Sequence, residues 1–179
     1  MNITEKSIDS TKLERSWYAL YTRPRFEKKV DVELKLKGLE SFLPLHSVVR
    51  IWSDRKKKIE APLFPSYVFV HANLKERYLS LQTPGVVRMV SFNGGPARIP
   101  AFQIESVRRI LQTDYAPQPY PYLSKGYKVE IISGPLKGST GYIIECRGKN
   151  RLVISIDTIR QSLAIEIDSN YLKRISKSY

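Results

Sequence analysis

The sequence predicts an α+β domain followed by a small all-β barrel domain, the two joined by a proline-rich segment. Three observations predict it. From residue 16 to residue 111 the apolar pattern switches repeatedly between the alternation of a strand and the roughly 3.6-residue period of a helix. From residue 126 onward only short alternating runs remain, divided by glycine-bearing turns. Between them, "QTDYAPQPYPYLSKG" sets Pro117, Pro119 and Pro121 among polar and aromatic residues, and proline removes the donor that a helix or ladder needs. At 179 residues and 42% hydrophobic, the chain can bury a real core, as one domain or as a medium domain plus a small one.

The first domain opens with "SWYALYT", short and apolar enough for a strand. In "RFEKKVDVELKLKGLE" the period changes: Phe26, Val30 and Leu34 recur every four residues, Val32, Leu36 and Leu39 widen the apolar side, and lysines fill much of the rest. Gly38 is a plausible helix terminator, since it takes positive φ without penalty. "SFLPLHSVVRIW" reads as a strand with Pro44 near its start, and "SDRKKKIE" as a polar tip leading into "APLFPSYVFV". Asn73 predicts a helix N-cap, with Glu76 three residues on to close a capping box and Leu74, Tyr78 and Leu81 on one side. That helix stops before Pro84 and Gly85. "VVRMVSF" is a strand with "NGG" as its turn, and Ile104, Val107 and Leu111 mark a last helix. Helices packed on one antiparallel sheet satisfy this order.

In the second domain, "YKVEIISG", "GSTGYIIEC", "RLVISIDTI" and "LAIEIDSNYL" are short strands, with turns at "SGPLKG" and "RGKN". Only 56 residues remain from position 124, so closure into a small barrel is the economical way to build a core and hide sheet edges. The boundaries that follow are a flexible tail at 1–15, a first domain at 16–111, a linker at 112–124 and a barrel at 125–175. A proline-rich ligand for a partner domain is the competing reading of 112–124.

Charge narrows the function classes. Residues 1–14 sum to −1, residues 15–111 to +10 and residues 112–179 to +4, for a net +13. Such an excess favours a polyanionic partner, nucleic acid before an anionic membrane. The lone Cys146 excludes an internal disulfide, and with no apolar run of membrane-spanning length or signal-like start, a soluble cytoplasmic protein is expected.

No catalytic, cofactor or metal constellation stands out. His46 and His71 lack ligand spacing and read as surface or packing residues, Cys146 reads as a strand residue, and "GPLKGSTG" lacks the ordered phosphate-loop pattern. The expectation is a protein that is not an enzyme and carries no cofactor. Binding features are better developed. Arg23 and Arg25, followed by Lys28 and Lys29, stand where the first strand meets the first helix, a place suited to phosphate. Arg55, Lys56, Lys57 and Lys58 form a second concentration, for which a solvated loop explains as much as nucleic acid does. Trp17 and Tyr18 suit base stacking and ordinary strand packing alike.

In "PLFPSYVFV", alternation places Phe64, Ser66, Val68 and Val70 on one face and Pro65, Tyr67 and Phe69 on the other, unless the prolines shift the pleat. Both faces are apolar. An interface, extended by Tyr78, Leu79 and Leu81, and a fully covered central strand both account for that.

The ordered succession of "WYALYTRPRFEKKV", "FLPL", "APLFPSYVFV", "TPGVVRMVSFNGGPARIP" and "KGYKVEIISGPLKGSTGYI" resembles the NusG family of transcription-elongation factors over residues 16–175. The specialised antiterminator branch, of the UpxY type acting on polysaccharide operons, is the most similar. The resemblance implies an NGN domain whose apolar concavity binds the clamp coiled coil of the large RNA polymerase subunit through Phe64, Pro65, Tyr67 and Phe69, with Tyr78 and Leu81 extending it. It implies Trp17 and Tyr18 in the opening aromatic motif, and Arg23 and Arg25 where relatives approach displaced non-template DNA, with Lys28 and Lys29 prolonging that patch. The C-terminal domain resembles a KOW module, a five-stranded SH3-like barrel framed by Gly126, Gly134, Pro135, Gly138 and Gly141, which would bind a ribosomal protein or a termination factor. A monomer with no membrane partner is implied. A ribosome-associated RNA-binding protein is the alternative, since small basic barrels occur there too.

Overall fold

The computed structural model describes residues 14–51, 56–123, 126–146 and 149–178. They fall into two compact units. Residues up to Leu43 together with Pro65–Ala101 make the first, and Pro44–Phe64 together with the residues from Phe102 onward make the second.

The first unit is built on four antiparallel strands in the order β2-β5-β1-β6, where β1 is Ser16–Thr22, β2 Glu40–Phe42, β5 Tyr67–Ala72 and β6 Val86–Met89. Helix α1, Glu27–Leu36, lies between β1 and β2 in sequence, and α2, Leu74–Leu81, between β5 and β6. Register decides which side chains meet. Tyr18 pairs with Val70 and Leu20 with Val68 and Met89, so these five share a face. That face buries Val30 and Leu34 of α1 and Leu39 in one core cluster. The four-residue spacing of Val30 and Leu34 brings them onto one side of the helix, as the sequence predicts.

Asn73 caps α2 as expected. Its Oδ1 accepts from the Glu76 N–H at 3.0 Å, and Glu76 Oε2 accepts from the Asn73 N–H at 2.9 Å. Arg15 Nε donates to the same oxygen at 3.0 Å. Burial of the Glu76 carboxyl acts to raise its pKa, but the hydrogen bonds from Arg15 and Asn73 and the charge of Arg15 outweigh this and leave it below the usual value. A lowered carboxyl pKa stabilises the fold fully above the unfolded value of about 4.3, and that contribution is lost as pH falls through the folded value. In urea titrations, Glu76→Gln should therefore be less stable than the parent at pH 7 and indistinguishable from it once pH lies below the folded value. A difference that persists there would assign the loss to the capping geometry alone.

Two expected strands are divided. "SFLPLHSVVRIW" splits at Leu43–Pro44 into β2 and β3, the latter Leu45–Ile51, because proline offers no donor to continue the ladder. "VVRMVSF" splits into β6 and β7, Ser91–Phe92, which pairs with β8, Gly95–Pro96, across Asn93 and Gly94. Both turn residues have positive φ, the requirement of a tight two-residue hairpin.

In the second unit β3 pairs with β4, Lys56–Pro62, as a two-stranded ribbon whose lysines 56, 57 and 58 are exposed. Arg55 lies outside the described residues. Helix α3, Ala101–Leu111, follows. Then β9 (Gln118–Tyr120), β10 (Gly126–Ile131), β11 (Thr140–Cys146), β12 (Lys149–Ile156), β13 (Gln161–Glu166) and β14 (Leu172–Ser178) form one antiparallel sheet in the order β14-β10-β11-β12-β13-β9. Among the described residues no pairing joins its two ends, so the sheet is β-rich but not a closed ladder. Val129, Ile131, Leu152, Ile154, Ile156, Leu163 and Ile165 are buried in it. Gly141 has a packing reason: a Cβ there would stand 2.5 Å from the Val153 carbonyl oxygen on the neighbouring strand. Gly134 and Gly138 bracket the exposed Pro135 in the β10–β11 turn with positive φ, and Gly126 begins β10. Strand β9 inside the proline-rich segment has no counterpart in the sequence reading.

Candidate functional site

One end of the first sheet is built from three prolyl turns. At Arg23–Phe26 and Thr83–Val86 a hydrogen bond closes the turn, Phe26 N–H to Arg23 C=O at 3.1 Å and Val86 N–H to Thr83 C=O at 3.0 Å. Each has proline second and positive φ third, Arg25 at 67° and Gly85 at 97°, the arrangement of a type II turn. Pro65–Ser66 repeats the pattern in front of β5, with Ser66 at φ 65°. The turns are tied together: Thr22 N–H donates to Ser66 C=O and Arg23 N–H to Gly85 C=O, both at 2.9 Å. Ser66 N–H donates to Glu27 Oε1 at 2.8 Å, which turns this buried carboxylate inward.

That platform presents cations outward. Arg23, Arg25, Lys28 and Lys29 are all exposed, and the acid among them, Glu27, is engaged inside. Arg25 occupies a position that favours glycine or asparagine, at a backbone cost of about 1 kcal/mol. On the face of the sheet opposite the core cluster, Tyr21 and Tyr67 meet edge to face at 5.5 Å, and the Arg88 guanidinium lies 5.4 Å from the Tyr21 ring. Tyr21, Arg88, Glu27 and Gly85 were missed in the sequence. Alternation along β1 and the Pro84–Gly85 dipeptide were the signals that could have found them.

The residues expected at the polymerase surface are separated. Tyr67 is half-buried and Phe69 fully buried, on the face of β5 that pairs with Tyr21 and Ala19. Phe64 is also buried and does not continue the alternation, because the strand begins only at Tyr67, after the left-handed Ser66; Pro65 is exposed. Tyr78 and Leu81 sit elsewhere. They line a groove of about 400 Å³ with Leu74, Arg77, Val87 and Met89. The Arg77 guanidinium lies 5.2 Å from the Tyr18 ring, and Met89 belongs to the core cluster, so α2 covers the Tyr18 face. Helix α2 therefore does not extend the surface of Tyr67; it borders a second one across the sheet, where Tyr78 is 65% exposed.

Trp17 and Tyr18 are 7% and 3% exposed, Trp17 stacked on His71 at 5.0 Å, so neither offers a free ring face for a base. His71 Nδ1 is 2.8 Å from Glu40 Oε2, and burial lowers the His46 pKa despite a hydrogen bond with the Pro117 backbone. Among the described residues no group of three His, Cys, Asp or Glu could hold a metal ion, and no helix is long and apolar enough to cross a membrane.

The model of the family described as transcription termination factor NusG matches residues 15–108, just over half of the chain. The chain belongs to the NusG family. Among curated relatives, the Rickettsia felis transcription termination/antitermination protein NusG is 25% identical over 96% of this chain and 99% of its own. The namesakes from Buchnera aphidicola and Pasteurella multocida are each 26% identical, over 90% and 93% of this chain and 97% and 99% of theirs. A solved structure of Thermotoga maritima NusG, concerned with its domain interaction, shares the fold with a TM-score of 0.52 at 22% identity, covering 92% of this chain and 99% of that one. The matched family is one of transcription factors, with a mixed α/β N-terminal region and a β-rich C-terminal region, and not one of enzymes.

Proposed function

We propose that this NusG-family chain rides on transcribing RNA polymerase as a specialised elongation and antitermination factor, suppressing pausing or termination at polysaccharide operons. Residues 16–111 bind the clamp coiled coil through the Tyr67 surface, to which Pro65 contributes, with the buried Phe69 on the same strand face and Phe64 in the same motif. The Tyr78–Leu81 groove is a second polymerase contact. Arg23, Arg25, Lys28 and Lys29 meet the phosphates of displaced non-template DNA. Residues 125–175 act as a KOW barrel that recruits a ribosomal protein or termination factor, its glycine-marked turns and run of antiparallel strands being what favours that reading. The chain works as a monomer in the cytoplasm.

The observation that carries this is the prolyl-turn platform, which ties the exposed Arg23 and the turn holding Arg25 to the ends of the two strands that carry the Tyr21–Tyr67 pair. Tyr67→Ala and Arg25→Gly test the two halves in reconstituted elongation complexes. Tyr67→Ala should weaken binding about tenfold at any salt concentration. Arg25→Gly relieves the backbone while deleting the cation, so folding is retained. It should lower the slope of log affinity against log salt by about 0.7, the value for one single-strand phosphate contact. Unchanged binding and pausing for both variants would remove the proposal, and binding to ribosomes without polymerase would replace it with a ribosome-associated RNA-binding role.

A further inference from the structure

Lysines 56, 57 and 58 belong to an ordered ribbon and not to a solvated loop. Strand β3 runs antiparallel to β4 with unbroken register, from Leu45 opposite Pro62 to Ile51 opposite Lys56. Directly opposed residues share a face. Ser47, Val49 and Ile51 therefore stand with Glu60, Lys58 and Lys56 on one side of the ribbon, and His46 and Val48 with Ala61 and Ile59 on the other. Burial divides the same way: the four residues of the second face are half-buried, whereas all six of the first are exposed. One face of the ribbon is covered and the other is open.

The open face combines cations with aliphatic side chains. Lys56 lies opposite Ile51 and Lys58 opposite Val49, and Ile51 and Val49 are 78% and 64% exposed. Glu60, the acid on this face, sits toward the foot of the ribbon, across from Ser47. Lysines that only guard a strand edge against pairing need no apolar companions. A groove of duplex DNA suits both kinds of group, with phosphates along its walls and base edges, including the thymine methyl, on its floor. Shape agrees with chemistry, because the major groove of B-DNA admits a two-stranded ribbon and that of A-form RNA does not. Among the described residues the open face holds no aromatic ring, the group on which unpaired bases stack. Two aliphatic side chains are also a narrow apolar face for a membrane surface.

We propose that the β3–β4 ribbon is a separate nucleic-acid site that seats its open face in the major groove of duplex DNA, with Lys56 and Lys58 on phosphates and Val49 and Ile51 against base edges. From Ser47 to Ile51 that face is about 13 Å long, the span of about four base-pair steps. So short a contact holds paired DNA without selecting a sequence strongly. The ribbon lies in the second compact unit and the Arg23–Lys29 cluster in the first, so the two sites belong to different parts of the chain and take different forms of DNA.

Fluorescence anisotropy of the full chain with a short labelled DNA duplex, over a series of salt concentrations, tests this. No polymerase is present, so the result is independent of the elongation-complex reading. Lys56→Gln combined with Lys58→Gln should lower the slope of log affinity against log salt by about 1.8, the value for two duplex phosphates, and leave the slopes for the single strand and for duplex RNA of the same sequence unchanged. Val49→Thr with Ile51→Thr keeps β-branched residues at exposed positions, so the ribbon is retained; it should weaken duplex DNA binding about threefold to tenfold at an unchanged slope. Lys75→Gln with Lys173→Gln, exposed lysines outside the ribbon, is the charge-matched control and should leave the slope unchanged. An unaltered slope in the ribbon lysine variant, or an equal drop in the control, would overturn the proposal. Parental affinity in the threonine variant would overturn the groove seating, and an equal effect of the lysine changes on single strands, duplex RNA or anionic phosphatidylglycerol vesicles would overturn duplex DNA as the ligand.

Discussion

Phe69→Ala should lower the stability of the chain by about 3–5 kcal/mol, measured by urea or thermal unfolding. The ring is fully buried, lies opposite Ala19 in the register of β1 and β5, and meets Phe42 at 6.2 Å between centroids. Truncation leaves a cavity in a sheet whose neighbours are held by their own ladders, so little relaxation can fill it. The consequence reaches the polymerase proposal. A loss of binding in Phe69→Ala, or in Phe64→Ala, would report on folding and not on contact. Tyr67, on the same face and only half-buried, is the position at which contact can be tested cleanly. A Phe69→Ala chain of parental stability would show that the burial of this ring contributes far less than its environment implies.

Gly85→Ala should cost about 2–4 kcal/mol, combining a left-handed backbone with overpacking. A Cβ at this position would stand 2.7 Å from Phe26 Cδ1 and 3.1 Å from Val30 Cγ2. Phe26 closes the Arg23–Phe26 turn, and the Gly85 carbonyl receives the Arg23 N–H, so displacement here moves the platform beneath Arg23 and Arg25. DNA affinity should therefore fall in a variant that leaves every cation in place. Gly38→Ala is the control. It shares positive φ, at 72°, but has nothing within 4 Å of the added carbon, and should cost only the backbone part, about 1 kcal/mol. Equal losses at the two glycines would refute the steric argument.

Much of the first unit was legible because its signals are local. The Asn73–Glu76 capping box, the Asn93–Gly94 turn, and the Val30 and Leu34 spacing each depend on residues within four positions of one another. The alternation of Tyr67 and Phe69 against Val68 and Val70 was legible for the same reason. Phe64 escaped it because the left-handed Ser66 breaks the pleat just before Tyr67, and a non-glycine residue gives no local warning of positive φ. The candidate nucleic-acid residues Arg23, Arg25, Lys28 and Lys29 were readable as a charge cluster. What supports them, Glu27, Ser66 and Gly85, comes from three separate stretches of chain and was not.

Composition and short-range pattern were enough to specify most of the elements and the basic first half, and the ordered succession of motifs carried the resemblance to the family. Long-range packing alone decided that Trp17, Tyr18 and Phe69 are interior, that Tyr67 and Tyr78 lie on opposite sides of one sheet, and that Gln118–Tyr120 joins a ladder with β13. The division has a physical origin. Capping, turn and period preferences are energies of neighbouring residues, whereas burial and strand addition depend on which distant segment arrives to pair, and that segment leaves no mark on the local sequence it covers.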